Sequence, residues 1–373
     1  MSIMRIPQCD VRAGVLSLRT EIERAIHSVL ESGEYILGKS VRSFESAFAE
    51  YVGVPYAIGV ASGTDAIHLA LRALGIGAGA EVIVPAHTAA GTIVGIEMAG
   101  AIPVFADIDD ERFTLDPASV ARAITTRTKA IMPVHLYGQP AAMDGLMDLS
   151  RRYGLQIVED CAQAHGAAYR GRKAGSLGAA GCFSFYPTKN LGGIGDGGMI
   201  TTSDQSVYQA LCALRQYGWC PRYVSQSRGY NSRLDELQAA ILLVRLAHLD
   251  EANLQRSLLA RQYTTRLAGT PIRTPQNFPE TNHVHHLYVI RHPRRDALRE
   301  WLAQNGIGAG IHYPVPLHLQ PAYMACPRAR GGMSVTERVA SQILSLPLYG
   351  ELSVQDVDTV CDSILAFEDD RQS

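Results

Sequence analysis

The sequence predicts an α/β protein, with a large domain built on a mostly parallel sheet and a smaller α+β domain after it. Three observations carry this expectation. Through the first half of the chain, short apolar runs alternate with longer helical patterns, as strands joined by helical crossovers do. Three closely spaced strand-like pieces follow, at residues 167–169, 182–185 and 199–201, with glycine-rich turns between them that are too short for crossovers. Beyond a long helical pattern at residues 234–267, a single strand-like run, residues 286–290, stands among helical segments.

Taken in order, residues 18–31 and 41–51 read as amphipathic helices punctuated by Gly33 and Gly38. Residues 57–60 read as a strand, and 65–74 as a helix with Ile67, Leu71 and Leu74 on one face. Residues 82–84, 104–105, 130–134 and 157–158 read as buried strands, with helical segments at 117–124 and 141–153 between them. The long helical pattern is expected to break near Leu249, which divides the chain into a large domain at 1–248 and a small one at 249–373. The small domain is expected to carry a helix at 296–305 and two closing helices.

Composition narrows the function classes. With 47% hydrophobic and 19% charged residues, the 373-residue chain has ordinary globular composition. A formal charge of -2 leaves no electrostatic footprint for nucleic acid or an anionic membrane. The seven cysteines lie far apart with no CxxC pair, so neither a disulfide framework nor a zinc ribbon is indicated. The first ten residues lack an apolar signal core, and the most apolar stretch, residues 89–106, is interrupted by Glu97 and Pro103. A soluble cytoplasmic protein is expected.

Three segments carry chemistry. Lys189 follows a buried strand, beside Pro187 and a glycine-rich turn, where a desolvated amine can meet a carbonyl. Asp160 ends the apolar strand Ile157-Val158-Glu159-Asp160, where ligands bind in open α/β sheets and where a carboxylate can hold a pyridinium proton. Ser62-Gly63-Thr64 joins a strand to an apolar helix, whose free amides and dipole suit a phosphate. Each has a simpler reading on its own: a solvated lysine, an N-cap aspartate and a plain helix cap.

In order along the chain, the strand-Ser62-Gly63-Thr64-helix, the run Glu159-Asp160-x-x-Gln163-Ala164-His165-Gly166, and Ser184-Phe185-Tyr186-Pro187-x-Lys189-Asn190-Leu191-Gly192 resemble the DegT family of nucleotide-sugar aminotransferases. Residues 229–240, His312-Tyr313-Pro314, Pro316-Leu317-His318 and Ser345-Leu346-Pro347-Leu348 extend the resemblance over nearly the whole chain. It implies a fold-type-I pyridoxal 5′-phosphate enzyme with a mostly parallel seven-stranded sheet. Lys189 is implied as the Schiff-base lysine and proton carrier, Asp160 as partner of the ring nitrogen, and Gln163 as partner of the ring hydroxyl. Gly63, Thr64 and Ser184 are implied to hold the phosphate. Asn231 is implied to reach the phosphate in the neighbouring subunit of a homodimer with shared active sites. Tyr186, His312 and Tyr313 are implied to line the sugar-nucleotide pocket.

The resemblance further implies L-glutamate as amino donor and a dTDP-linked 3-keto-6-deoxyhexose as acceptor. The alternatives are a 4-keto UDP- or GDP-sugar, a cyclitol ketone, or a non-catalytic regulator that keeps the fold. Related sugar dehydratases carry histidine in place of the lysine, which Lys189 argues against. Where the family often places an aromatic residue that stacks on the ring, this chain has Ala89; His87, two residues earlier, is the planar side chain expected to take its place.

Other signals are set aside. Residues 193–198 satisfy GxGxxG but follow the lysine loop and enter a strand, so no dinucleotide site is expected. His283, His285 and His286 lack further ligands at metal spacing, and alternation puts His283 and His285 on one strand face as a partly exposed structural cluster; no metal is expected. Arg291, Arg294 and Arg295 read as a solvated helix start. Ile241, Val244 and Leu246 read as core or dimer packing.

Overall fold

A computed structural model describes residues 5–369; residues 1–4 and 370–373, the outer ends of the two expected domains, lie outside the described residues. The chain opens with α1 (Val11–Leu16), capped by the Asp10 carboxylate, which accepts from the amides of Arg12 and Ala13. Then come α2 (Arg19–Ser32) and α3 (Lys39–Val52), which end at Gly33 and Gly53 in the left-handed conformation. Alternation follows as expected: β1 (Tyr56–Val60), α4 (Gly63–Ala73), β2 (Glu81–Pro85), α5 (Ala90–Met98), β3 (Ile102–Ala106), α6 (Pro117–Ala123), β4 (Thr128–Ile131), α7 (Met143–Tyr153) and β5 (Gln156–Asp160). A short hairpin, β6 (Ala168–Tyr169) and β7 (Arg172–Lys173), precedes β8 (Ala180–Ser184) and β9 (Gly198–Thr202).

These elements build a seven-stranded sheet of order β1-β9-β8-β5-β4-β2-β3. Among the described strands of this sheet, β9 alone is antiparallel to its neighbours, because residues 185–197 return the chain from β8 without a helix. Each face is covered by its own apolar layer. Ile58, Ile83, Val104 and Ile131 belong to one, while Phe44 and Phe48 of α3 meet Phe183 and Phe185 in the other. β2 is buried throughout, and for this reason reads as a continuous apolar run after Glu81. Because β1, β5 and β8 run parallel, their C-terminal ends share one edge, and the chemistry-bearing segments emerge there.

After α8 (Gln205–Leu214), the long helical pattern divides into α9 (Glu236–Ala247) and α10 (Leu249–Arg266), broken at His248. The strand β10 (Thr281–Asn282) pairs back onto β6. The remainder comprises β11 (Tyr288–Arg291), α11 (Arg295–Gln304), α12 (Ser334–Gln342), β12 (Ile343–Leu346) and α13 (Val354–Asp369). A separate core gathers Tyr263, Tyr288, Leu298, Leu344 and Ile364, and Ile6 from the start of the chain joins it, bridged to Ile307.

Three expectations are corrected here. The strand expected at 286–290 begins at Tyr288, because His285 adopts a left-handed φ of 46° and the chain bends before pairing. His283 and His285 therefore lie in irregular backbone, although their rings do share a side and stack 3.9 Å apart. The arginines read as solvated are partly interior: Arg291 is 4% exposed and paired with Asp110, and Arg295 is 7% exposed and donates to the carbonyls of Ala340 and Ile343. Finally, the chain forms a further strand, β12, whose residues Ile343, Leu344, Ser345 and Leu346 follow a helix directly and carry no strand alternation of their own. No helix among the described residues is long and apolar enough to cross a membrane.

Candidate active site

The edge shared by β1, β5 and β8 collects the predicted residues. Lys189 sits in the loop after β8, where its amide donates to the Tyr186 carbonyl at 2.8 Å. Gln238 of α9 clamps the same loop by exchanging two hydrogen bonds with the main chain of Ile194, at 2.9 and 2.8 Å. Burial lowers the Lys189 ammonium to about 8, against the opposing pull of Asp160. The amine is therefore a competent base and nucleophile near neutral pH.

Asp160 ends β5 and is buried. Its Oδ1 accepts from the Ala162 amide at 3.0 Å and its Oδ2 from the Thr92 hydroxyl at 2.8 Å. Burial raises its pKa, while those two hydrogen bonds and the charges of Lys189 and His135 oppose the rise. Both oxygens keep a lone pair for a further donor. Gln163, one turn on, accepts from the Tyr137 amide at 2.7 Å and donates to the Tyr313 hydroxyl at 3.2 Å.

Ser62 caps α4 by accepting from the Asp65 amide at 3.1 Å, leaving Gly63 and Thr64 in the first turn. A Cβ at Gly63 would lie 2.6 Å from that of Ser184, so glycine is required for β8 and the helix start to touch. A Cβ at Gly91 would lie 3.1 Å from the Thr64 hydroxyl oxygen, which brings the start of α5 against the same spot. The start of α4 thus meets Ser184 at Gly63 and the start of α5 at Thr64. This is a cradle suited to a phosphate.

A cavity of about 210 Å³ beside Lys189 is lined by Gln163, Tyr186, His286, His312 and Tyr313 among others. The structure thus brings Tyr186, His312 and Tyr313 to the lysine. Two larger clefts, of about 810 and 840 Å³, lie near Arg72 and along α10, and neither includes Lys189 or Asp160. Chemistry outweighs size here. Burial also raises the Tyr313 hydroxyl to about 12, so it stays protonated.

His87 follows β2 and is 1% exposed. Its Nε2 lies 2.7 Å from the Tyr137 hydroxyl, and that hydroxyl donates to the His312 carbonyl. With the phenolic proton so committed, Nε2 is the nitrogen that carries the imidazole proton. Burial lowers the ring to about 4, which keeps it neutral. Asn231 is exposed, on a segment whose next residue, Ser232, donates to Asp65 at 2.7 Å and accepts from the Ala61 amide at 3.1 Å. The segment therefore lies behind the phosphate cradle of its own chain.

His135, Glu159 and Cys161 form a buried group spaced like metal ligands. Its carboxylate and imidazole are already used: Glu159 accepts from the amides of Gly175, Leu177 and Gly178 and pairs with His135 Nε2, while His135 Nδ1 accepts from the Ala141 amide. Sequence reasoning missed Thr92 and His286 at the site. Thr92 follows Thr88 by four residues at a helix start, a readable pattern; nothing local marks His286.

A model of the DegT/DnrJ/EryC1/StrS aminotransferase family matches residues 17–365. The chain belongs to that family. The match covers nearly the whole chain, so this member of the DegT/DnrJ/EryC1/StrS family is an enzyme of the aminotransferase class. A Streptomyces venezuelae relative, dTDP-3-amino-3,4,6-trideoxy-alpha-D-glucose transaminase, is 48% identical over 361 residues, covering 96% of this chain and 95% of the relative. A crystal structure of S. venezuelae DesV in complex with a ketimine intermediate superposes with a TM-score of 0.95 at 48% identity, covering 97% of this chain and 98% of that one. Bacillus subtilis NtdA with bound cofactor PMP superposes with a TM-score of 0.90 at 30% identity, covering 98% and 86%. Relatives solved with the cofactor bound mark the family as pyridoxal-phosphate-dependent. The DegT-family fold expected from the motifs is the fold observed.

Proposed function

We propose that this enzyme aminates the ketone of a dTDP-linked 3-keto-6-deoxyhexose, using pyridoxal phosphate held at Lys189 and L-glutamate as donor. The observation that carries the reading is the placement of Lys189, with its lowered pKa, in one cavity with Gln163 and Tyr313 and within electrostatic reach of Asp160. Similarity to the S. venezuelae transaminase supports the choice of acceptor.

Pyridoxal phosphate, when bound, supplies an aldehyde carbon for Lys189 and a protonated ring that draws electrons from the substrate carbon. The protein's own residues do the rest. Asp160 holds the ring-nitrogen proton in place, because a buried carboxylate with a free lone pair beside a cation favours the charged pair. Gly63, Thr64 and Ser184 hold the phosphate through amides and hydroxyls. Gln163 reaches the ring hydroxyl. The Lys189 amine, once free, takes the proton from the substrate carbon and returns it. Tyr186, His312 and Tyr313 orient the sugar nucleotide in the cavity.

His87 would cover the cofactor ring, since Ala89 offers only a methyl group and a neutral imidazole anchored to Tyr137 is flat and rigid. Asn231 reaches the phosphate of a partner subunit, which makes the working unit a homodimer with shared sites. The two domains meet near residue 248, and the protein works in the cytoplasm. Borohydride reduction of the cofactor-loaded protein, followed by peptide mapping, tests the core of this reading. Label on Lys189, together with amination of the dTDP-keto-sugar by L-glutamate, is the expected outcome; label on another lysine removes the central claim.

A further inference from the structure

His286 is buried and lines the cavity that contains Lys189. Its Nδ1 lies 3.1 Å from Asn190 Oδ1. Which nitrogen carries the proton is decided two steps away. Asn253 Nδ2 donates to the His165 main-chain carbonyl at 2.9 Å, so Asn253 Oδ1 must face Asn190. Asn190 Nδ2 donates to that oxygen at 2.8 Å and to the Val284 carbonyl at 3.0 Å. Both of its protons are then committed, and Asn190 Oδ1 can only accept. The donor to it is His286 Nδ1. Two main-chain carbonyls thereby lock one tautomer, with Nε2 bare.

That locked lone pair has no hydrogen-bond partner among the described residues. The ring stays neutral, because burial and the charges of Lys189, Arg256, His165 and His312 all press its pKa far below the usual imidazole range. We propose that His286 is a positioning residue for Lys189: both line one cavity, and His286 Nε2 accepts a hydrogen bond from the lysine Nζ in the pyridoxamine-phosphate form, where that amine is free beside the bound cofactor. The inference rests on the reading of Lys189 as the proton carrier. A free lysine on four rotatable bonds samples many orientations, and a fixed acceptor selects the one that keeps the amine near the substrate carbon.

A hydrogen bond from an ammonium stabilises its charged form, so its loss lowers the pKa. In the pyridoxamine-phosphate form of the holoenzyme the Lys189 amine is free, and its acylation can be followed against pH by peptide mapping. His286→Phe should move the acylation midpoint down by about one pH unit, as the loss of one charge-assisted hydrogen bond requires. His286→Gln, which keeps an acceptor, should restore it. With L-glutamate deuterated at the α-carbon, the isotope effect on the first half-reaction should rise in His286→Phe and stay near wild type in His286→Gln. An unchanged midpoint and isotope effect in cofactor-loaded His286→Phe overturns the proposal. If that variant fails to load, nitrogen NMR of the histidine-labelled wild-type holoenzyme decides. The His286 Nε2 resonance should be that of a bare nitrogen and should move with the Lys189 midpoint, and a protonated or invariant Nε2 overturns the proposal. Absence of borohydride label at Lys189 in wild type would instead sink the underlying functional reading, whatever His286 does.

Discussion

Thr92 Oγ1 donates a 2.8 Å hydrogen bond to Asp160 Oδ2, and the Thr88 hydroxyl lies 2.9 Å behind it. With Oδ1 held by the Ala162 amide, both carboxylate oxygens are oriented from the protein side. Thr92→Val keeps the volume and removes the donor. Turnover should fall about tenfold, since a hydrogen bond to a charged group is worth roughly 1.5–3 kcal/mol and part of it survives through Ala162. Thr92→Ser should restore most of the rate. Asp160→Asn should lower turnover and the specificity constant together, because the amide cannot hold the ring proton. Steady-state kinetics on the cofactor-loaded variants check both.

Lys189 reacts with an aldehyde only as the neutral amine. Its ammonium is lowered to about 8, so the rate of cofactor incorporation into the cofactor-free protein should rise with pH and level off above about 8. An ordinary lysine would keep gaining rate toward about 10.4. Asp160 raises the Lys189 value, so Asp160→Asn should move the plateau to lower pH. Stopped-flow absorbance measures the rate, and a profile still climbing well above the plateau point would falsify the desolvated environment assigned to this amine.

His87 tests the cover on the ring face. His87→Ala should weaken cofactor retention more than it changes binding of the sugar nucleotide, whereas His87→Phe should largely keep retention. The phenyl ring cannot donate to the Tyr137 hydroxyl, so His87→Phe should still cost about 1 kcal/mol of stability. Because the imidazole titrates near 4, retention by wild type should show no histidine step between about pH 5 and 8. Dialysis followed by cofactor absorbance reads retention, and coordinates of the loaded protein with the His87 ring away from the cofactor face would favour a turn residue instead.

Asn231 tests assembly. Lys189→Ala and Asn231→Ala, each severely impaired alone, should recover partial activity when mixed, because one hybrid site retains both residues. Subunit exchange is verified independently by mass. Proven exchange with no recovery would assign Asn231 to its own chain, against whose phosphate cradle the neighbouring Ser232 is already bonded.

What the sequence by itself determined lies close together along the chain. Gly63 follows β1 and Asp160 ends β5, and alternating strands and helices make those two strands parallel, so local pattern sends both to one edge. The ordered motifs carried the family for the same reason. Lys189 joins Gly63 and Asp160 because β8 pairs parallel to β5 although no helix separates the two strands. Only the tertiary structure decided the contacts whose partners are remote in sequence. Arg291 is interior because Asp110 and Gln342 meet it there. The strand β12 exists because β11 pairs with it. The bare Nε2 of His286 depends on carbonyls at Val284 and His165 acting through Asn190 and Asn253, and the proton on His87 depends on a carbonyl at His312. A hydrogen bond commits one donor to one acceptor, and periodicity along a chain carries no record of which remote acceptor is taken.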